Sequence, residues 1–236
     1  MKVVILCGGL GSRLSEETKK IPKPMVKVGN IPILIHIMNI YSKYGFNDFI
    51  LALGYKKDVI KKYFKINNFK KWKVKLVDTG YKTLTGKRLL KVKKYLNKDQ
   101  DFLLTYGDGL SDVDISKTIE FHKNHGKCVT MTAVQPAGRY GALDINSDNS
   151  ILSFKEKPRG DGSWINGGFF VCKPEVLNYI ASDSTIFEQE PLINLASEGQ
   201  LMSYKHSGFW ESMDSLRDKK HLCKLWDSGA APWKAW

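Results

Sequence analysis

What a chain like this can fold into is constrained most by its first twenty-five residues. An apolar strand, Lys2-Val3-Val4-Ile5-Leu6-Cys7, runs directly into Gly8-Gly9-Leu10-Gly11-Ser12-Arg13-Leu14, and Pro22-Lys23-Pro24-Met25 follows. Glycines without Cβ atoms let backbone N–H groups approach a bound anion closely. Arg13 adds a guanidinium that stays charged, and Lys23 adds an ammonium held between two prolines. A strand, a bare loop and two fixed cations together describe a cradle for a polyphosphate.

Spacing excludes the two better-known glycine loops. A dinucleotide-binding turn needs a third glycine where this chain has Leu14, and an acid about twenty residues later where Lys27-Val28-Gly29-Asn30-Ile31 has none. A Walker loop needs Gly-Lys-Ser/Thr, which is absent from this region. Without a ligand the loop would be only a tight strand-to-helix turn, and Arg13 and Lys23 are what argue for more.

Apolar runs alternate with helical periodicity through the first half, predicting parallel β-α-β units. Strands are expected at Lys2–Cys7, Asp48–Leu53, Lys73–Val77 and Asp101–Thr105, and helices at Pro32–Tyr44, Gly86–Leu96 and Asp114–His125. After Cys128–Val134, closely spaced short strands at Leu143–Ile145, Ile151–Lys155 and Gly167–Cys172 predict antiparallel additions to the sheet. Helices are expected at Glu175–Ile180, Pro191–Glu198 and Ser215–Asp227. No Pro/Ser-rich linker interrupts the pattern. The reading is one α/β domain over 1–236, Rossmann-like in its first half, with a mixed, mostly parallel sheet and helices on both faces. Residues 1–134 would form its nucleotide-binding half and 135–236 its sugar-binding half and C-terminal helices.

Composition narrows the function. Only five apolar residues follow Lys2 before the glycines, too few for a secretory core, and no apolar run approaches the roughly eighteen residues of a membrane span. The four cysteines (Cys7, Cys128, Cys172, Cys223) form no C-x-x-C pair, so buried, reduced thiols in a cytoplasmic protein are expected. The net charge of +13 raises a nucleic-acid reading, but the lysines around Lys56–Lys75 are scattered. Val59, Ile60, Tyr63 and Phe64 among them form a helical core stripe. Neither nucleic acid nor membrane is expected as a partner; diffuse positive charge would instead draw in phosphorylated small molecules.

The acids point to a metal. Asp108 follows an apolar strand between Gly107 and Gly109, at the strand end where α/β ligands bind. Asp214 lies in Gly208-Phe209-Trp210-Glu211-Ser212-Met213-Asp214, among apolar bulk that makes an unpaired carboxylate costly. Each also has a plain structural alternative, a turn carboxylate for Asp108 and a helix N-cap for Asp214. The histidines show no relay spacing, and His36 on a helical core stripe reads as packed.

Gly-Gly-Leu-Gly-Ser-Arg-Leu with Pro-Lys-Pro-Met resembles the signature of the sugar nucleotidyltransferases, also called nucleoside-diphosphate-sugar pyrophosphorylases. Further matches run nearly end to end: Thr105-Tyr106-Gly107-Asp108-Gly109, Tyr140-Gly141-Ala142-Leu143, Phe154-Lys155-Glu156-Lys157-Pro158, Ile165-Asn166-Gly167-Gly168, Glu188-Gln189-Glu190-Pro191-Leu192 and Gly208-Phe209-Trp210. Within the superfamily the chain is most similar to the enzymes that join CTP to glucose 1-phosphate, releasing pyrophosphate and giving CDP-glucose for cell-surface polysaccharide. The same chemistry with dTTP or UTP, or with another sugar phosphate, stands as the alternative.

The resemblance implies roles. Asp108 and Asp214 would hold Mg²⁺; Arg13, Lys23, Lys157 and Asp108 would serve catalysis. Leu6, Cys7, Gly8, Gly9, Leu10, Gly11, Ser12, Arg13, Lys23, Thr83, Arg88 and Gly107 would bind the nucleotide, with Thr83 and Arg88 on the base side. Gly141, Glu156, Lys157 and Asn166 would bind the sugar phosphate, and Tyr140 and Trp210 would wall its pocket. A homo-oligomer is implied as well. The chain departs from the pattern between Phe64 and Trp72, where close relatives carry a longer segment. A regulatory module that binds nucleotide without catalysis is the rival from another class, and retention of Arg13, Lys23, Asp108, Lys157 and Asp214 argues against it.

Overall fold

The computed structural model describes residues 1–236 apart from 137, 139, 140, 160–162 and 235. Its first half contains β1 (Val3–Cys7), α1 (Ser15–Thr18), β2 (Lys27–Val28), β3 (Ile31–Pro32), α2 (Ile33–Lys43), β4 (Asp48–Leu53), α3 (Lys57–Ile66), β5 (Lys73–Asp78), α4 (Thr85–Val92), β6 (Phe102–Tyr106), β7 (Gly109–Ser111), α5 (Ile115–His125) and β8 (Val129–Val134). The second half adds β9 (Ala142–Ile145), β10 (Ile151–Lys155), β11 (Ile165–Cys172), α6 (Glu190–Ser197), β12 (Leu201–His206), β13 (Trp210–Ser212) and α7 (Leu216–Asp227).

The main sheet has the order β12-β8-β11-β6-β1-β4-β5. Strands β6, β1, β4 and β5 are parallel, and β11 runs antiparallel to both β6 and β8. The mixed, mostly parallel sheet with helices on both faces is the predicted architecture. Its central strand β1 is apolar at every position, and β4 and β6 nearly so, because both faces are covered. In β1, Val3, Ile5 and Cys7 join the core that includes α2, while Val4 and Leu6 join the opposite core, with Leu89 and Val92 of α4 and Leu192 and Leu195 of α6. Alternation of side chains along a strand thus splits one five-residue run between two cores.

Three expectations are corrected. Strands β9 and β10 pair only with each other and do not extend the main sheet. Their sequences, Ala-Leu-Asp-Ile and Ile-Leu-Ser-Phe-Lys, lack the continuous apolar run that a doubly covered strand requires, whereas Phe-Phe-Val-Cys of β11 has it. The helix expected at Glu175–Ile180 is a 3-10 helix at Pro174–Tyr179. Cys223 is only half-buried, while Cys7, Cys128 and Cys172 are buried.

The aromatic C-terminal segment docks on its own domain. Trp233 is 1% exposed and its Nε1 donates to His36 Nδ1 at 3.2 Å. That contact leaves His36 Nε2–H to donate to Val28 O at 3.0 Å, so the neutral ring is used from both sides. Burial pushes the His36 pKa down to about 4.

Candidate functional site

Chain order places the cleft. After β1 the sheet grows toward β4 and β5, then the chain crosses back to lay β6 on β1's other edge. At such a switch point the loops beyond the carboxyl ends of β1 and β6 diverge and leave a crevice. A cleft of about 770 Å³ opens there, lined by the Leu6–Arg13 loop, Lys23, Thr83, Arg88, Gly107, Asp108, Asn166, Trp210 and Asp214.

The two aspartates meet through a small ribbon. Strands β7 and β13 pair antiparallel with Ser212 opposite Gly109, and Met213 N donates to Asp108 O at 2.9 Å. Asp108 precedes one strand and Asp214 follows the other, so both carboxylates reach the same point. Lys23 Nζ occupies it, 2.6 Å from Asp108 Oδ2 and 2.6 Å from Asp214 Oδ1. Arg13 Nη2 lies 3.0 Å from Asp214 Oδ1, and Ser212 Oγ donates to Asp214 Oδ2 at 2.9 Å. The helix-cap alternative for Asp214 fails, because Ser215 caps α7 in a capping box with Asp218.

Lys23 is fixed by its neighbours. Pro22 and Pro24 restrict the backbone around it, and its side chain is only 10% exposed. Burial alone would lower its pKa; the carboxylates of Asp108 and Asp214 outweigh burial and hold it above the usual lysine value. Burial would likewise raise the Asp214 pKa, but Lys23, Ser212 and Arg13 keep it below the usual carboxylate value. Lys23 and Asp214 are therefore both charged at neutral pH.

These residues suit a divalent cation. Two carboxylate oxygens already converge on a single positive charge, and Mg²⁺ favours one or two carboxylates with substrate oxygens completing its shell. No group of three His, Cys, Asp or Glu side chains poised for a metal exists among the described residues, so the arrangement resembles a shared substrate–metal site rather than a closed structural one.

Arg88, expected as a base-side contact, lines the cleft while its guanidinium bonds to the protein's own backbone. It is 4% exposed, and its Nη1 donates to Leu53 O, Gly80 O and Thr79 Oγ1 at 3.2, 3.0 and 2.5 Å. Its Nη2 donates to Gly8 O at 2.9 Å and Tyr81 O at 3.4 Å. One guanidinium therefore ties the glycine loop to the end of β4 and to the 79–83 loop. A Cβ at Gly8 would fall 2.1 Å from Arg88 Cζ, so this glycine admits the arginine as much as any ligand. Thr83 also reaches the cleft rim, its Oγ1 donating to Thr79 O at 2.6 Å.

The residues expected around the sugar phosphate separate. Asn166 lines the cleft with Trp210, whose Nε1 donates to Gly167 O at 2.7 Å. Gly141, Glu156 and Lys157 lie on or beside the β9–β10 hairpin and are not in the cleft lining. The side chains of Lys157 and Glu156 pair with each other at 3.2 Å while 60% and 59% exposed. Tyr140 falls outside the described residues. The cleft also includes Tyr81, Tyr106 and Ile186, which sequence reasoning did not single out. Tyr106 could have been found, two residues before Asp108 at the same strand end; Ile186, in a distant loop, gave no signal.

Comparison with known proteins agrees with this geometry. Residues 2–213 match the family model for nucleotidyl transferases. A glucose-1-phosphate cytidylyltransferase of Salmonella typhimurium is 52% identical over 258 aligned positions covering all of both chains. A probable glucose-1-phosphate cytidylyltransferase of Bacillus subtilis is 42% identical, again over all of both. Among solved structures, HddC from Yersinia pseudotuberculosis superposes with a TM-score of 0.76 at 27% identity, over 95% of this chain and 99% of that one. This chain belongs to the nucleotidyl transferase family, in its glucose-1-phosphate cytidylyltransferase branch.

Proposed function

We propose that this protein transfers a cytidylyl group from CTP to α-D-glucose 1-phosphate, giving CDP-glucose and pyrophosphate for cell-surface polysaccharide synthesis. The observation that carries the reading is the convergence of Lys23, Arg13, Asp108 and Asp214 beside the glycine loop. Full-length relatives bearing that activity in their names support it.

The chemistry asks for little covalent participation. A phosphate oxygen of glucose 1-phosphate attacks the α-phosphorus of CTP; the new P–O bond forms as the bond to the β-phosphate breaks, and pyrophosphate leaves with the electron pair. The nucleophile is already an anion, so no general base is needed, in keeping with His36 and His122 being buried. Catalysis then rests on alignment and on fixed positive charge where negative charge builds. The backbone of Gly8–Gly11 cradles the polyphosphate, Arg13 and Lys23 neutralise it, and Arg88 holds the base-side loop in shape from behind. Asp108 and Asp214 would hold Mg²⁺, which when bound would supply Lewis-acid charge neutralisation to the phosphates. Asn166 and Trp210 face the end of the cleft left for the sugar. The exposed placement of Lys157 gives that residue no role in this account.

A pyrophosphate-release assay with glucose 1-phosphate across CTP, UTP, dTTP, ATP and GTP tests the reading. Fastest turnover with CTP is expected, because a site matched to one base's hydrogen-bonding edge rejects the others strongly. Faster turnover with dTTP or UTP would overturn the choice of nucleotide.

A further inference from the structure

Beyond the cation cluster, a hydrogen-bonded chain joins Tyr106, Asn166 and Glu188 from three of the matched motifs, and the mechanism above uses only its Asn166 end. Tyr106, at the end of β6, lines the cleft, and its hydroxyl donates to Glu188 Oε1 at 2.7 Å. The same hydroxyl accepts from Asn166 Nδ2 at 3.3 Å. Glu188 Oε2 accepts from Thr85 Oγ1 at 2.6 Å, and Thr85 Oγ1 in turn accepts from Phe187 N at 2.9 Å. Asn166 Oδ1 accepts from Gly168 N at 2.8 Å, so both ends of that amide are oriented. Gly168 has φ +76°, and a Cβ there would stand 2.5 Å from Tyr106 Cδ2; the ring packs against bare backbone.

Every polar atom in this chain has one assignable role. Burial, then the Glu188 carboxylate, raises the Tyr106 pKa, so the phenol stays protonated and is a committed donor to Glu188. Its lone pairs are then the acceptor that fixes Asn166. Glu188 itself is outside the cleft lining, close to the first turn of α4, where the helix dipole favours a carboxylate. It joins three distant elements, β6, the start of α4 and the loop before α6, at the one wall left for the second substrate.

We propose that Glu188 is a positioning residue for the sugar phosphate: through the Tyr106 hydroxyl it sets the ring and the Asn166 amide that present the acceptor's hydroxyls to the cleft. The inference rests on the reading that the sugar binds at the Asn166–Trp210 end, and it extends that reading to the selection of the sugar. A carboxylate aiming a phenol, and the phenol aiming an amide, suits a polyhydroxylated ring, which needs donors and acceptors in fixed directions. The triphosphate end of the cleft shares none of these contacts.

The test compares steady-state kinetics of E188A, E188Q and Y106F with wild type, varying each substrate in turn. E188A should raise KM for glucose 1-phosphate on the order of ten-fold, the scale of one lost hydrogen bond to a charged group, and leave KM for CTP within about two-fold. E188Q, which keeps an acceptor, should recover most of the loss. Y106F, which removes only the hydroxyl, should match E188A, and the double variant should be no worse than either single one, as for groups acting in series. Equal increases in both KM values, an E188Q as impaired as E188A, or a Y106F with wild-type KM for the sugar would each overturn the proposal. Should E188A fail to fold, Y106F decides alone. The nucleotide panel comes first; if another triphosphate is preferred, that result refutes the base assignment and these measurements proceed with that triphosphate.

Discussion

Lys23 sits where a metal ion would be expected, and replacing it with methionine makes a measurable prediction. In the structure its ammonium is 2.6 Å from one oxygen of each aspartate, so those oxygens are separated by at most twice that distance. Methionine keeps the chain's bulk but removes the charge, leaving two half-buried carboxylates facing each other. At roughly 5 Å and an effective permittivity of about 20, their repulsion is about 3 kcal/mol. Arg13 relieves part of it, though little, since its side chain is 76% exposed and solvent screens it. In wild type a divalent ion must displace the ammonium to reach both carboxylates; in K23M it meets only their mutual repulsion and relieves it. Mn²⁺ binding without nucleotide, followed by the loss of the free-ion electron paramagnetic resonance signal, should therefore tighten in K23M by about ten-fold to a hundred-fold. Turnover should nevertheless fall by about 10²–10³, the scale for one preorganised transition-state charge. D108N should weaken Mn²⁺ binding in both backgrounds. If K23M binds Mn²⁺ no more tightly than wild type while D108N still weakens binding, the idea that lysine and metal compete for one position is refuted.

Two further outcomes follow from buried groups. R88K should raise KM for CTP about ten-fold or more and lower the melting temperature, because an ammonium cannot replace a planar fork that serves four backbone carbonyls; unchanged values in both measurements would contradict its place as the link between the loops. For His36, the folded pKa of about 4 lies below the unfolded value of about 6.5, so the unfolded state binds the extra proton. Its contribution is complete above pH 6.5 and declines toward pH 4, at up to about 1.4 kcal/mol per pH unit. Denaturant unfolding across that window should show H36Q with a slope shallower by about one proton, and an unchanged slope would exclude His36 as the source.

How far the sequence revealed this molecule depended on the range of the interactions. The central strands were legible because covering both faces forces unbroken apolar runs, and α2 and α5 because Gly45 and Gly126 follow them as stops. The glycine loop and its cations were legible for a related reason: the Leu6–Arg13 loop and Lys23 lie close in sequence, and the structure brings them to one cleft. Arg88 was placed correctly near the start of its helix, but its bonding partners were not foreseen. Burying a guanidinium requires several acceptors, and those come from Gly8, Leu53 and Gly80, which only the folded chain assembles. Glu188 stood in a matched motif but gave no readable role, since its partners Tyr106 and Thr85 are 82 and 103 residues away. The motif resemblance that puts Lys157 at the sugar phosphate has no matching contact here: beside the β9–β10 hairpin its side chain pairs with Glu156, 60% exposed and outside the cleft lining.

The position of β11 has a consequence for how the protein is made. This strand lies between β6 and β8, yet it leaves the ribosome after both of them. Until residues 165–172 have emerged, β8 has neither of its sheet partners, β11 and β12, and is not bridged to the β6-β1-β4-β5 fragment, and Asn166 and Gly168 of the cleft wall are missing as well. Translation through the first half therefore yields no independent nucleotide-binding unit, and truncations near residue 134 should leave exposed strand edges prone to association rather than a smaller working module.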